Sequence, residues 1–115
     1  MNPSAEFDVV IYGATGFTGR LVAEYMNETY GVGNDVAWAM AGRSLEKLKT
    51  VRDEMGIPKS VELIVADASD PKSLEAMVKS TKCVLTTVGP YQLYGTPLVE
   101  ACAANGTDYV DLSGE

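Results

Sequence analysis

The residues with most chemical content are Gly13-Ala14-Thr15-Gly16-Phe17-Thr18-Gly19. They form a GxxGxxG segment directly after the apolar run Phe7-Asp8-Val9-Val10-Ile11-Tyr12 and directly before a stretch of helical periodicity. A glycine spacing alone says little; strand, glycine turn and amphipathic helix in succession say much more. Each glycine has a task in such a turn. Gly13 lets the chain leave the strand sharply, Gly16 lets the backbone approach a pyrophosphate, and Gly19 lets helix and strand pack closely. The free N–H groups of the first helical turn and the positive end of the helix dipole then face an anion, with Thr15 and Thr18 as added hydroxyl donors. Three glycines would weaken a helix start that had no ligand to hold.

A second signal stands at the end of the next apolar run, Met40-Ala41-Gly42-Arg43-Ser44. A strand end that selects NAD carries a carboxylate to accept from the ribose 2′-hydroxyl. Here the position holds Arg43, followed by Ser44, with Lys47 one turn on as a further candidate. A guanidinium suits a 2′-phosphate, so the expected cofactor is NADP; the competing reading of Arg43 is a solvated loop residue. After the third strand, Asp67 is a candidate acceptor from the adenine amino group, or a turn cap. After the fourth, Gly89-Pro90-Tyr91 would flank the pyrophosphate and nicotinamide ribose, with Tyr91 and Tyr94 either lining the pocket or packing on the loop.

Other chemistries are excluded. The chain has no histidine, which removes Ser-His-Asp and Cys-His catalysis and any histidine-bearing zinc site. Its two cysteines, Cys83 and Cys102, are too few for a four-thiolate centre, so no metal is expected and free thiols in a reducing cytoplasm are. No tyrosine has a lysine four residues on, so the YxxxK proton relay is absent. No catalytic acid, base or nucleophile stands out. With 16 acidic and 9 basic residues the formal charge is −7, which disfavours nucleic acid and anionic membranes. Nothing reads as a secretory leader or a membrane span.

The elements that must position these residues follow from the pattern. Strands are expected at Phe7–Tyr12, Val36–Ala41, Val61–Val65, Cys83–Val88 and Asp108–Leu112. Helices are expected from about Thr18 to Thr29 with a stripe of Leu21, Val22, Tyr25 and Met26, from a Ser44 cap to Met55, from Asp70-Pro71 through Val78, and from Thr96-Pro97 to Asn105. The order βαβαβαβαβ with apolar strands predicts an α/β fold. This is a doubly wound, Rossmann-like parallel sheet of five strands in the order 3-2-1-4-5, with helices on both faces. Residues 1–115 form one dinucleotide-binding domain, expected to be the N-terminal part of a longer two-domain protein. The uncovered fifth strand is expected to favour self-association, with a homodimer as the simplest form.

The segments GATGFTGRLVAEY, AGRSLEKL, VADASDPKSLEAMV and TTVGPYQLYGTPLVEACAANGTDYVDLSGE resemble the NADP-binding domain of saccharopine dehydrogenase-like oxidoreductases, a group that includes trans-acting enoyl reductases. The likeness runs from about Phe7 to Glu115. It implies a nicotinamide-dependent oxidoreductase that holds a small-molecule substrate against a second domain downstream. Carried over by position, it implies a phosphate turn of Gly13, Thr15, Gly16, Phe17, Thr18 and Gly19, and a 2′-phosphate position at Arg43 and Ser44. It further implies a nicotinamide-side loop of Gly89, Pro90 and Tyr91, and a cleft mouth at Asp111, Ser113, Gly114 and Glu115. The alternative is a module that binds NADP as a redox sensor without catalysis.

Overall fold

A computed structural model describes residues 6–30, 36–67, 70–86 and 100–111. Its strands are β1 (Phe7–Tyr12), β2 (Trp38–Gly42), β3 (Glu62–Val65), β4 (Thr81–Thr86) and β5 (Asp108–Asp111); its helices are α1 (Phe17–Thr29), α2 (Leu45–Glu54) and α3 (Pro71–Lys79). Residues 100–105 are also helical. All strand pairs are parallel, in the order β3-β2-β1-β4-β5. That is the predicted Rossmann-like sheet. The loop Gly89–Tyr91 with Tyr94, and Ser113 to Glu115, lie outside the described residues.

Alternation along β1 divides the core in two. Val10 and Tyr12 face one side, where Leu74, Met77 and Val78 of α3 and Cys102 pack against Ala39, Ala41 and Val84. Ile11 faces the other, where Ala23 and Met26 of α1 and Leu48 and Val51 of α2 pack against Trp38 and Met40. The central strands β1 and β2 are therefore apolar apart from Asp8, as a sheet covered on both faces requires. β3 departs from that expectation: it is the edge strand, and Glu62 and Val65 at its ends are exposed.

Helix starts follow local chemistry. The Ser44 hydroxyl oxygen accepts from the Lys47 N–H at 3.3 Å to cap α2. Asp70 accepts from the Lys72 N–H at 3.2 Å to cap α3, with Pro71 in the first turn. Two boundaries differ from expectation. β2 begins at Trp38 rather than Val36, because the Ala37 N–H donates to the Asp8 carboxylate at 2.9 Å while the Ala37 carbonyl accepts from the Asp8 N–H at 2.7 Å. β4 begins at Thr81, where Phe7 pairs with it.

The expected stripe of α1 is also shifted. Leu21 and Tyr25 are 51% and 59% exposed, and the inward face is Gly19, Val22, Ala23 and Met26. The buried glycine sets that phase, since α1 can approach β1 closely only along its smallest residues.

Candidate functional site

In a parallel doubly wound sheet the strands' carboxyl ends lie at one edge, and a crevice opens where the connections diverge. Here that point lies between β1 and β4. Hydrogen bonds fix three loops along the edge. The Gly13 and Ala14 N–H groups donate to the Ala41 carbonyl at 2.9 and 3.1 Å, stitching the turn after β1 to the end of β2. The Ala66 N–H donates to the Gly42 carbonyl at 2.9 Å, stitching the exit of β3 to the same point. Arg43 follows Gly42 and Asp67 follows Ala66, so the glycine turn, Arg43 and Asp67 share one rim.

The three glycines do different things. Gly13 has φ 89°, a left-handed conformation that side chains resist. A Cβ on Gly19 would run into the Gly13 carbonyl oxygen and come within 2.7 Å of the Ala14 Cα, so that position is fixed by packing of α1 on the turn. Gly16 is unlike both. Its φ of −79° and ψ of 171° are extended backbone that any residue adopts. A Cβ there would touch only the Gly13 oxygen, at an ordinary 3.5 Å. Nothing within the described chain needs a glycine at position 16. What a side chain there would obstruct is whatever approaches the turn from outside.

The start of α1 fits an anion. Gly16 is its N-cap and supplies no side-chain acceptor, in contrast to Ser44 of α2 and Asp70 of α3, and the first turn of α1 holds no acidic residue. The Arg20 N–H bonds back to the Gly16 carbonyl at 2.9 Å. The first-turn N–H groups of an α-helix lie ahead of its intrahelical ladder. A pyrophosphate beside Gly16 would satisfy them and the helix dipole together. The side chains of Phe17 and Thr18 lie outside the described residues; Thr15 is half-buried beside the turn.

Arg43 is exposed, and among the described residues its guanidinium pairs with no carboxylate. Ser44 spends a lone pair on its helix cap and keeps its hydroxyl hydrogen to donate. Asp67 is held from both sides: its N–H donates to the Ser73 hydroxyl oxygen at 2.9 Å, and its carbonyl accepts from the Asp70 N–H at 2.8 Å. This residue therefore serves the β3–α3 turn through its backbone and stands on the rim as well. Among the described residues no group of histidine, cysteine or carboxylate side chains could hold a metal.

Sequence reading missed Arg20. It lines a cleft beside the phosphate turn and pairs with Glu54 of α2 at 3.3 Å. Its one visible signal was adjacency to Gly19; that it leans toward α2 is a matter of helix packing.

Known proteins bear on this geometry. Residues 9–114 match the family model for the saccharopine dehydrogenase NADP binding domain. A trans-acting enoyl reductase of Mycobacterium bovis (strain BCG / Pasteur 1173P2) is 53% identical over 118 residues, spanning 100% of this chain and 27% of that protein. The chain thus spans about a quarter of the length of the curated relatives it matches. Among solved structures, the Citrobacter sp. triphenylmethane reductase complexed with NADP(H) superposes with a TM-score of 0.71 at 23% identity, over 87% of this chain and 34% of the other. The apo saccharopine dehydrogenase (L-Glu forming) of Saccharomyces cerevisiae does so with a TM-score of 0.68 at 22% identity, over 91% and 21%. At such identities these structures speak for the fold. The family match spans nearly the whole chain, and the glycine turn, the uncapped α1 and the basic strand end all suit the same ligand. On both grounds the chain belongs to the family of saccharopine dehydrogenase NADP-binding domains.

Proposed function

We propose that this chain is the cofactor-holding domain of an NADP(H)-dependent oxidoreductase, which positions the nicotinamide against a small-molecule substrate enclosed by a second domain. The observation that carries the reading is Gly16: a glycine kept at an exposed position where neither backbone angle nor packing asks for one. Bound there, NADP(H) supplies the hydride chemistry. The chain's own residues bind and orient: the start of α1 takes the pyrophosphate, Arg43 and Ser44 take the 2′-phosphate, and Asp67 borders the adenine. Proton transfer and substrate contacts belong to the rest of the protein. The trans-acting enoyl reductase named above supports a carbon–carbon double bond as the reduced group. Two free thiols, Cys83 and Cys102, support a reducing compartment, the cytoplasm. No described helix is long and apolar enough to cross a membrane.

Calorimetric titration tests this directly. NADP(H) is expected to bind about 10- to 150-fold more tightly than NAD(H), the worth of a charge-assisted bond of roughly 1.5–3 kcal/mol. Arg43→Asp should reverse that order. Gly16→Val should lose binding while circular dichroism shows an intact fold. A folded Gly16→Val chain that binds NADP normally, or a wild-type preference for NAD, sinks the reading.

A further inference from the structure

Asparagine and glycine meet at the end of the helical stretch 100–105, and of the four asparagines in the chain only Asn105 is followed by glycine. The fold explains the pair. Gly106 has φ 68°, the left-handed conformation that ends a helix and that side chains resist. The Thr107 N–H then donates back to the Cys102 carbonyl at 2.9 Å and closes the helix end. Asn105 turns its side chain along the helix, where Nδ2 donates to the Ala101 carbonyl at 2.8 Å. The buried Thr107 hydroxyl donates to the Val78 carbonyl at 2.6 Å, which pins the turn to the last turn of α3.

The same pair carries a reaction. A glycine nitrogen has no side chain beside it, so it can attack the side-chain carbonyl carbon of a preceding asparagine. The bond from the Gly106 nitrogen to the Asn105 Cγ forms, the Cγ–Nδ2 bond breaks, and ammonia leaves with the amide proton. Water then opens the cyclic imide at either carbonyl, giving aspartate or isoaspartate at 105; nothing is oxidised or reduced. The helix end blocks the first step. Nδ2 would have to leave the Ala101 carbonyl, and the backbone of Asn105 would have to leave its helical angles, before Cγ could reach the Gly106 nitrogen. We propose that Asn105-Gly106 is a site of spontaneous covalent modification, deamidation to aspartate and isoaspartate, which the cap holds unreactive and which reacts when that helix end unwinds. The product does not suit the place it came from. Asn105 lies with Glu75 and Glu100 on the wall of a cleft of about 290 Å³ between α3 and the helical stretch, so a carboxylate there adds to two others. Isoaspartate also lengthens the backbone just ahead of β5, whose pairing with β4 begins at Cys83 and Asp108. Conversion is thus slow in the folded chain and, once made, favours unfolding.

Ageing the chain in mildly alkaline buffer, folded and in guanidinium chloride, tests this. Peptide mass mapping follows the amide-to-acid mass gain at each asparagine, and labelling with an isoaspartyl methyltransferase counts the rearranged product. In guanidinium chloride Asn105 should convert ahead of Asn27 and Asn34, and at least about tenfold faster than in the folded chain. Thr107→Val keeps the side-chain shape and removes the bond to Val78, so it should raise the folded-state rate about tenfold while circular dichroism shows an intact fold. The comparison of folded with unfolded chain needs no variant, and it decides the matter even where Thr107→Val fails to fold. An Asn105 that stays intact in the denaturant overturns the site. Equal rates in the two states overturn the protection. A folded Thr107→Val chain with the wild-type rate overturns unwinding of the cap as the step that admits reaction.

Discussion

Gly19 and Gly16 share a residue type and differ in cause, and that difference is measurable. Gly19→Ala forces a methyl against the Gly13 carbonyl and the Ala14 Cα, both backbone atoms that cannot swing aside. Overpacking of this kind costs about 1–3 kcal/mol, and urea denaturation should show it as a lower midpoint. Gly16→Ala should change stability by less than about 0.5 kcal/mol, because its Cβ meets only ordinary contact distance. Nucleotide affinity should move the other way round, with position 16 the more sensitive. Part of this was legible in the sequence: the sharp turn at Gly13 and the close packing at Gly19 follow from the strand–turn–helix context. The Arg20–Glu54 ion pair between α1 and α2 was not legible. It depends on how the two helices lie side by side, and no spacing along one segment encodes that.

At the scale of elements, the type and order of every described strand and helix could be read from periodicity and caps. Phase and ends were less readable. Leu21 and Tyr25 looked like an inward stripe because they are large and apolar, yet the small residues Gly19 and Ala23 decided which side of α1 faces β1. The start of β2 was displaced by one carboxylate. Asp8 accepts from the Ala37 N–H at 2.9 Å and pairs with Lys82 of β4 at 3.1 Å, bridging three neighbouring strands at their amino ends. The Ala37 hydrogen bond and then Lys82 hold the Asp8 carboxyl below its ordinary range. A depressed folded value means that the contribution is present above the unfolded value, near pH 4, and is lost as pH falls through the folded one. Asp8→Asn should therefore lower stability at pH 7 by about 0.5–1 kcal/mol and flatten the acid side of the stability curve below about pH 4. A variant whose melting temperature matches wild type at pH 7 would show that the bridge contributes nothing.

Among the described residues, the sheet is covered unevenly at the scale of the whole molecule. Leu85 pairs in register with Ile11 and Val110, so all three point to the sheet face that α1 and α2 cover. Those helices lie over β1 to β3. Val110 is 41% exposed, and Leu21 and Tyr25 stand exposed on the same side. We expect this apolar stretch to seek cover, and the chain alone to associate in solution. Light scattering across a concentration series should find twice the monomer mass at the upper end, and Tyr25→Lys should return it to monomer. A strictly monomeric wild type at high concentration would remove the argument without touching the cofactor assignment. The strand order has a further consequence, which concerns time. β1 is central, and its two neighbours arrive far apart: Val9 meets Trp38 on one side and Cys83 on the other. While the chain emerges from the ribosome, β1, β2 and β3 can zip together with α1 and α2 in place long before β4 exists. The glycine turn, its bond to Ala41 and Arg43 all belong to that first half. A nascent chain stalled just after β3 would thus already carry the residues proposed to hold the adenosine half of the nucleotide, and on that proposal NADP added to such stalled complexes should slow proteolysis of the first half before the fold is complete.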